Sequence, residues 1–271
     1  MAVAVEEEKN NRKRGTIMRT IAIINLKGGV AKTTSSINIA YILSTKGKRV
    51  LLVDNDKQGD CSRGMNRRTQ EGAGIDKIMV DKKPDMTCLI QKTDYENLDV
   101  ITANLNLLTA NMEVTMDRVR PQQTRLKNAL RQVKDDYDFC VIDNAPDINI
   151  SVINALTAAD DVLIPVEVDD NTTEGMNELL DQIDEIRCEL NPELKNVKCF
   201  ISKYNKYNEA HSQGAEIIRE WYPTMNTLIR NSLAVAKSTY ARIPVVAFSK
   251  RSAAAEDYQN LVEEYLQMIK E

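Results

Sequence analysis

Asn25-Leu26-Lys27-Gly28-Gly29-Val30-Ala31-Lys32-Thr33-Thr34 closes an apolar run, Thr20–Asn25, and opens an amphipathic stretch, Ser35–Thr45. A strand that breaks into a Gly-rich turn and re-enters as a helix gathers backbone N–H groups around an anion. The helix N-terminus adds about half a positive charge to that cradle. Lys32 is spaced to reach the β and γ phosphates of a nucleotide, and the Thr33 hydroxyl to ligate Mg²⁺. The segment therefore predicts a phosphate-binding loop contacted by Gly28, Gly29, Val30, Ala31, Lys32, Thr33 and Thr34. A turn of the same shape that binds nothing is the alternative, and the remaining motifs weigh against it.

Outward from this loop, short apolar runs alternate with helical patterns. Val50–Asp54, Leu98–Thr102, Phe139–Asp143, Val162–Val168 and Val197–Ser202 suit buried parallel strands. Gln122–Lys134, Ile150–Ala159, Glu174–Leu190, Glu209–Trp221 and Ala253–Met268 suit helices. This alternation predicts an α/β fold, a doubly wound and mostly parallel sheet flanked by helices, with ligands at the carboxyl ends of the strands. Residues 1–17 are charged and lack apolar periodicity, so they are expected to form a flexible tail ahead of a single domain at 18–271.

Composition narrows the function. At 42% hydrophobic and 28% charged residues, the 271-residue chain is neither disordered nor fibrous. The longest uncharged runs, Thr33–Thr45 and Val100–Met112, are too short and polar to span about 30 Å of hydrocarbon. The N-terminus carries Glu6–Glu8 and Arg12–Arg14 rather than an apolar signal core, so a cytoplasmic location is expected. Five Cys without a C-x-x-C pair argue against a disulfide framework, a zinc site or an iron–sulfur cluster, and favour buried or inert thiols. The net charge of −4 is unevenly spread. Residues 1–134 carry +9, 135–197 carry −15, 198–251 carry +6 and 252–271 carry −4. Segmental asymmetry of this kind is a signal for a local nucleic-acid surface that the total conceals.

The loop departs from G-x-x-x-x-G-K-[ST] by carrying Asn25 and Ala31 at the two Gly positions and an extra lysine, Lys27, ahead of the Gly pair. That is the K-G-G-x-x-K-[ST] form, and the sequence resembles the ParA/MinD family of P-loop ATPases, ParA partition proteins most of all. Leu51-Leu-Val-Asp54-Asn-Asp56-Lys57-Gln58-Gly59 resembles its D-x-D-P-Q-G motif, with Lys57 replacing Pro. Phe139-Cys-Val-Ile-Asp143-Asn-Ala145-Pro146 resembles its D-x-P-P segment, Glu96-Asn-Leu-Asp-Val-Ile-Thr-Ala its E-N-L-D-V-I-P-A segment, and Leu228-Ile-Arg230-Asn231 its I-P-R-N loop. A methyl group at position 31 is harmless at a helical φ and costs about 1 kcal/mol at positive φ.

The resemblance implies an ATPase that uses ATP and Mg²⁺. Lys27, Lys32 and Asp56 would be catalytic, with Asp56 orienting the attacking water. Thr33 and Asp143 would hold the metal, Asp143 through a coordinated water, and Asp54 would support its water shell. Lys27 would cross a two-fold interface to the partner's nucleotide, making ATP the glue of a homodimer. Asn231 is implied as an adenine contact. The dimer would bind double-stranded DNA without sequence preference through the +6 segment, with Lys203, Lys206, Lys237, Arg242, Lys250 and Arg251 as candidates, and a ParB-type centromere-binding partner would stimulate hydrolysis at the nucleoid. A scattered solvated face is the alternative for those six cations. Two other functions stay open: a MinD-like membrane-associated ATPase, disfavoured by the acidic C-terminal helix, and a nucleotide-binding scaffold with little hydrolysis.

Overall fold

A computed structural model describes residues 18–67, 72–169 and 172–270. The expected tail at 1–17 lies outside the described residues. The strands are β1 (Arg19–Ile23), β2 (Val50–Asn55), β3 (Ile90–Lys92), β4 (Leu98–Ile101), β5 (Phe139–Asn144), β6 (Asp161–Glu167), β7 (Asn196–Tyr204) and β8 (Thr224–Arg230). They form one sheet in the order β3-β4-β2-β5-β1-β6-β7-β8. Every neighbouring pair is parallel except β3 and β4. The winding reverses around β1, so the loop that follows β1 sits at the switch point where ligands bind.

The helices are α1 (Lys32–Thr45), α2 (Asp60–Gly64), α3 (Ile75–Val80), α4 (Met86–Leu89), α5 (Asn106–Met116), α6 (Arg125–Leu130), α7 (Ile150–Ala158), α8 (Thr172–Glu189), α9 (Glu209–Trp221), α10 (Leu233–Ala241), α11 (Val245–Phe248) and α12 (Ala253–Met268). Side chains alternate across the strands, and both faces are covered. Ile21, Ile23, Leu52 and Val141 pack toward α1 and α12. Leu51, Val53, Cys140 and Ile142 pack toward α3, α5 and α6, while Ala22, Ile24, Val162 and Ile164 pack toward α7, α8 and α9.

The doubly wound expectation holds, with three local differences. β8 lacks a continuous apolar run because it is an edge strand whose burial is partial, with Thr224, Asn226 and Thr227 along it. The helix expected over Gln122–Lys134 is confined to α6 because the Gln122 amide donates to the carbonyls of Thr115 and Asp117 and holds the entry as a turn. Of the five thiols, Cys61, Cys140 and Cys199 are buried, whereas Cys88 and Cys188 are exposed.

Helix α12 is amphipathic, and its apolar side is used internally. Ala254, Ala255, Tyr258, Leu261, Val262 and Tyr265 are buried against the sheet and α1. Outside, Glu264 accepts hydrogen bonds from the backbone N–H groups of Asn226 and Thr227, which ties the helix to β8. Among the described residues no helix is long and apolar enough to cross a membrane.

The fully buried Asp161 locks α12 to the central strands. It accepts from the Arg19 guanidinium (2.8 Å), the Asn196 amide (2.7 Å) and the Tyr265 hydroxyl (2.7 Å). Replacing it by Ala leaves Tyr265 and Arg19 without their acceptor in a site closed to water, which costs about 3 kcal/mol. Asp161→Ala should therefore lower the urea midpoint at an unchanged m value, measured by far-UV circular dichroism.

Candidate functional site

The turn after β1 is shaped by its own side chains. The Asn25 amide donates to the Pro165 carbonyl (2.8 Å), and its Oδ1 accepts the Lys27 N–H (2.9 Å). Asn25 thus fixes the entry to the loop, which is a physical use for the residue that replaces Gly there. Gly29 lies at φ 79° and Ala31 at φ 70°. Ala31 therefore takes the strained, left-handed alternative, where its methyl group costs about 1 kcal/mol. A Cβ added at Gly28 or Gly29 would meet nothing within 4 Å, so the backbone there is open to a ligand. Helix α1 begins at Lys32 without a side-chain cap, which leaves its first-turn N–H groups available to an anion. Val30 faces the other way: it is buried, and its carbonyl accepts the Ser202 hydroxyl (3.0 Å).

Lys32 is buried and donates to the Lys27 carbonyl (2.8 Å), so its ammonium group braces the turn it serves. Burial lowers its pKa, against the attraction of Asp143, Asp56 and Asp147. A partly desolvated ammonium next to uncapped amides fits a polyphosphate, because both would gain a charge they lack.

Asp54 and Asp143 stand in register at the ends of β2 and β5, both out of water. Burial, with repulsion from Asp54 behind it, pushes Asp143 up to about 8, against hydrogen bonds from the Thr33 and Ser36 hydroxyls; the Ser36 bond is 2.8 Å. Burial raises Asp54 to about 6, although Ser62 donates to it through both N–H (2.7 Å) and hydroxyl (2.6 Å). Asp54 also accepts the Asp56 N–H (3.2 Å), so it anchors the loop that carries Asp56. Asp56 in turn accepts the Gln58 N–H (2.9 Å). Carboxylates and hydroxyls are the hard oxygen donors that Mg²⁺ takes, and Asp143 with Thr33 fits that ion.

A cavity of about 640 Å³ opens over the loop. Gly28, Gly29, Ala31, Lys32, Thr33 and Thr34 form one side, and Asp56, Asp60 and Arg63 a second. Tyr240 from the end of α10, and Arg242, Ile243 and Pro244 from the turn between α10 and α11, also line it. The structure thus brings most of the expected loop contacts and Asp56 together, with Asp54 and Asp143 buried behind them. Lys27 lies outside the lining: it is exposed and pairs with Asp169. Asn231 also lies outside, with its N–H donating to the Tyr204 carbonyl (2.8 Å). Of the six cations expected on a DNA face, Lys203 pairs with Glu167 (3.0 Å) and Lys206 sits over the Tyr207 ring (5.0 Å). Lys237, Lys250 and Arg251 are exposed, and Arg242 belongs to the cavity wall.

Sequence reasoning passed over Ser36, Ser62 and a pair of asparagines. The Asn55 amide donates to Asn144 Oδ1 (2.7 Å) and to the Ser151 carbonyl (3.0 Å), all out of water. It joins the two acid-bearing strand ends directly. The available signal was the shared placement of Asn immediately after Asp54 and Asp143.

A family model described as "AAA domain" matches residues 18–196. The sporulation initiation inhibitor protein Soj of Bacillus subtilis is 34% identical over 91% of this chain and 97% of its own. A putative plasmid partition protein of Borrelia burgdorferi bound to AMPPNP superposes with a TM-score of 0.77 at 25% identity, over 93% of this chain and 99% of that one. The cobyrinic acid a,c-diamide synthase of Mycobacterium smegmatis, with bound ATP analog and magnesium, gives a TM-score of 0.81 at 25% identity over 94% and 96%.

The buried acids make stability depend on pH in a defined direction. Because the folded pKa of Asp143 lies above its unfolded value, the folded state holds the extra proton between about pH 4 and about 8. Stability from this group is fully present below the unfolded value and falls as pH rises, by at most about 1.4 kcal/mol per pH unit. Asp143→Asn should match the wild type near pH 4 and become progressively more stable than it toward pH 8, in thermal melts without metal or nucleotide.

Proposed function

The chain belongs to the AAA-domain family of P-loop ATPases that contains the Soj and ParA proteins, and on that premise we propose that it is a DNA-partition ATPase. It binds Mg-ATP, dimerises face to face, holds DNA without sequence preference as a dimer, and hydrolyses ATP slowly until a ParB-type partner stimulates it. The observation that carries this reading is the contrast between two lysines of one loop. Lys32 is buried and lines the cavity, whereas Lys27, 41% exposed at the side chain, pairs with Asp169 and is not among the residues that line it. A lysine that serves only its own nucleotide has no reason to stand outside that nucleotide's cavity. One that reaches across to a second copy does, because its charge offsets the repulsion of two triphosphates brought close together.

Within each site, Lys32 and the first turn of α1 hold the phosphates. Mg²⁺, when bound, would supply charge neutralisation to the phosphates. Thr33 and Asp143 are the groups that would hold it, with Asp54 behind them. Asp56, at the cavity wall, orients the water that attacks the γ phosphate, and Gln58 braces Asp56 through its N–H. Domain organisation follows the same reading, with one ATPase domain over 18–271.

The DNA face is assigned to the exposed cations Lys206, Lys237, Lys250 and Arg251. Lys203 contributes less, since Glu167 already neutralises it. The membrane alternative loses support because α12 spends its apolar side on the core.

Lys27→Ala should remain monomeric with Mg-ATP in sedimentation velocity while wild type dimerises; a dimer of the variant would remove the intersubunit role of this lysine. Wild type with ATP should retain unrelated duplexes at low salt and lose them steeply as salt rises. The triple change Lys206→Ala, Lys250→Ala and Arg251→Ala should abolish that retention in a filter-binding assay, or reduce the log–log salt slope by about 0.9 per lost phosphate contact.

A further inference from the structure

Arg242 has no role yet in the reading above, and three observations converge on it. It lines the cavity that Gly28, Gly29 and Lys32 line from the other side. It ends α10 in the left-handed conformation, at φ 57° and ψ 43°, where glycine is the usual residue and a side chain is disfavoured. Its backbone N–H is used by the Thr239 carbonyl, while among the described residues its guanidinium makes no hydrogen bond or ion pair. The other cations of the cavity are engaged, Lys32 with the Lys27 carbonyl and Arg63 with Asp60 (3.1 Å).

Resting on the nucleotide reading of this cavity, we propose that Arg242 is a phosphate-binding residue supplied within the same chain, and that it is not part of the DNA face. The turn between α10 and α11 holds it across from the phosphate loop, so the nucleotide is clamped between α1 and this turn. A guanidinium suits the task because its planar fork gives two parallel N–H donors to phosphate oxygens and stays charged at any working pH. Strain at the cap is consistent with this use: it fixes the direction in which the side chain leaves the turn. A second strained residue, Ala31, stands on the opposite wall, so both sides of the clamp hold left-handed backbone that glycine would take more easily.

Arg242→Gly is the informative variant, because Gly accepts the left-handed backbone and so removes the side chain, guanidinium included, without adding strain. Binding is read from the fluorescence of a labelled ATP with Mg²⁺, and phosphate contact from displacement of that probe by inorganic tripolyphosphate. The variant should melt at or above the wild-type temperature, bind the labelled ATP about tenfold more weakly, and lose affinity for tripolyphosphate in parallel. Unchanged ATP affinity would overturn the proposal, whether or not duplex DNA retention is lost. So would a loss confined to ATP with tripolyphosphate unaffected, since the contact would then be to the base or ribose. Absence of Mg-ATP binding by the wild-type chain is a separate result, which would sink the ATPase reading itself. Arg242→Lys, which keeps charge but loses the fork, should fall between wild type and the Gly variant.

Discussion

Two carboxylates, Asp54 and Asp143, sit in register on neighbouring parallel strands with no water between them and the core. Burial is the main cost of holding them there, with repulsion from Asp54 adding to it at Asp143, and the groups around the site offset that cost. Ser62 and the Asp56 backbone take up Asp54, and Thr33 and Ser36 take up Asp143. Lys32 adds an ammonium whose pKa burial has lowered. These contacts lower the cost of the charges without removing it, which is why both carboxyls stay above the ordinary range. A site held in this state responds to a cation more than a solvated one does, because the ion relieves repulsion already present in the fold.

That constraint also ties the loop after β1 to the rest of the molecule. Asp54 holds the loop bearing Asp56, while Asp143 meets the first turn of α1 through Thr33 and Ser36. The Asn55 to Asn144 bond joins the two strand ends and continues to the Ser151 carbonyl at the start of α7. The segments after β2 and β5 are thus held to each other and to α7 by direct hydrogen bonds. Charge is organised on a larger scale by the same fold. The acidic middle of the chain reaches solvent along α8, where Glu178, Asp181, Asp184, Glu185 and Glu189 are exposed. The exposed cations Lys206, Lys237, Lys250 and Arg251 are carried by the turn after β7, by α10 and by the segment after α11. Net charge near zero thus coexists with local fields of both signs.

Much of this was legible in the chain itself. The continuous apolar runs of β1, β2, β4, β5, β6 and β7 announced a parallel sheet, because strands buried on both faces need no polar alternation. The long amphipathic helices α9 and α12 were found to the residue, since a 3.6-residue period over thirteen or more positions has no competing reading. β8 and β3 were not legible, for they are sheet-edge elements whose pairing, rather than their composition, makes them strands. The phosphate loop was legible as a motif, yet the conformation of Ala31 was not, because the same residue fits helical and left-handed backbones and only the closed turn selects one.

By itself the sequence determined a parallel α/β sheet, a phosphate loop at the end of its first strand, and the acids at the ends of the runs Val50–Asp54 and Phe139–Asp143. Those features depend on local order: which residue follows which, and at what period. The tertiary structure decided that Lys32 lines the cavity while Lys27 pairs with Asp169 outside its lining, that Arg242 lines the same cavity as the phosphate loop, and that Asp161 ties the last helix to the first strand through Tyr265 and Arg19. These are contacts between segments that lie far apart in the chain. Their geometry follows from how strands and helices pack, which no local pattern of residues encodes.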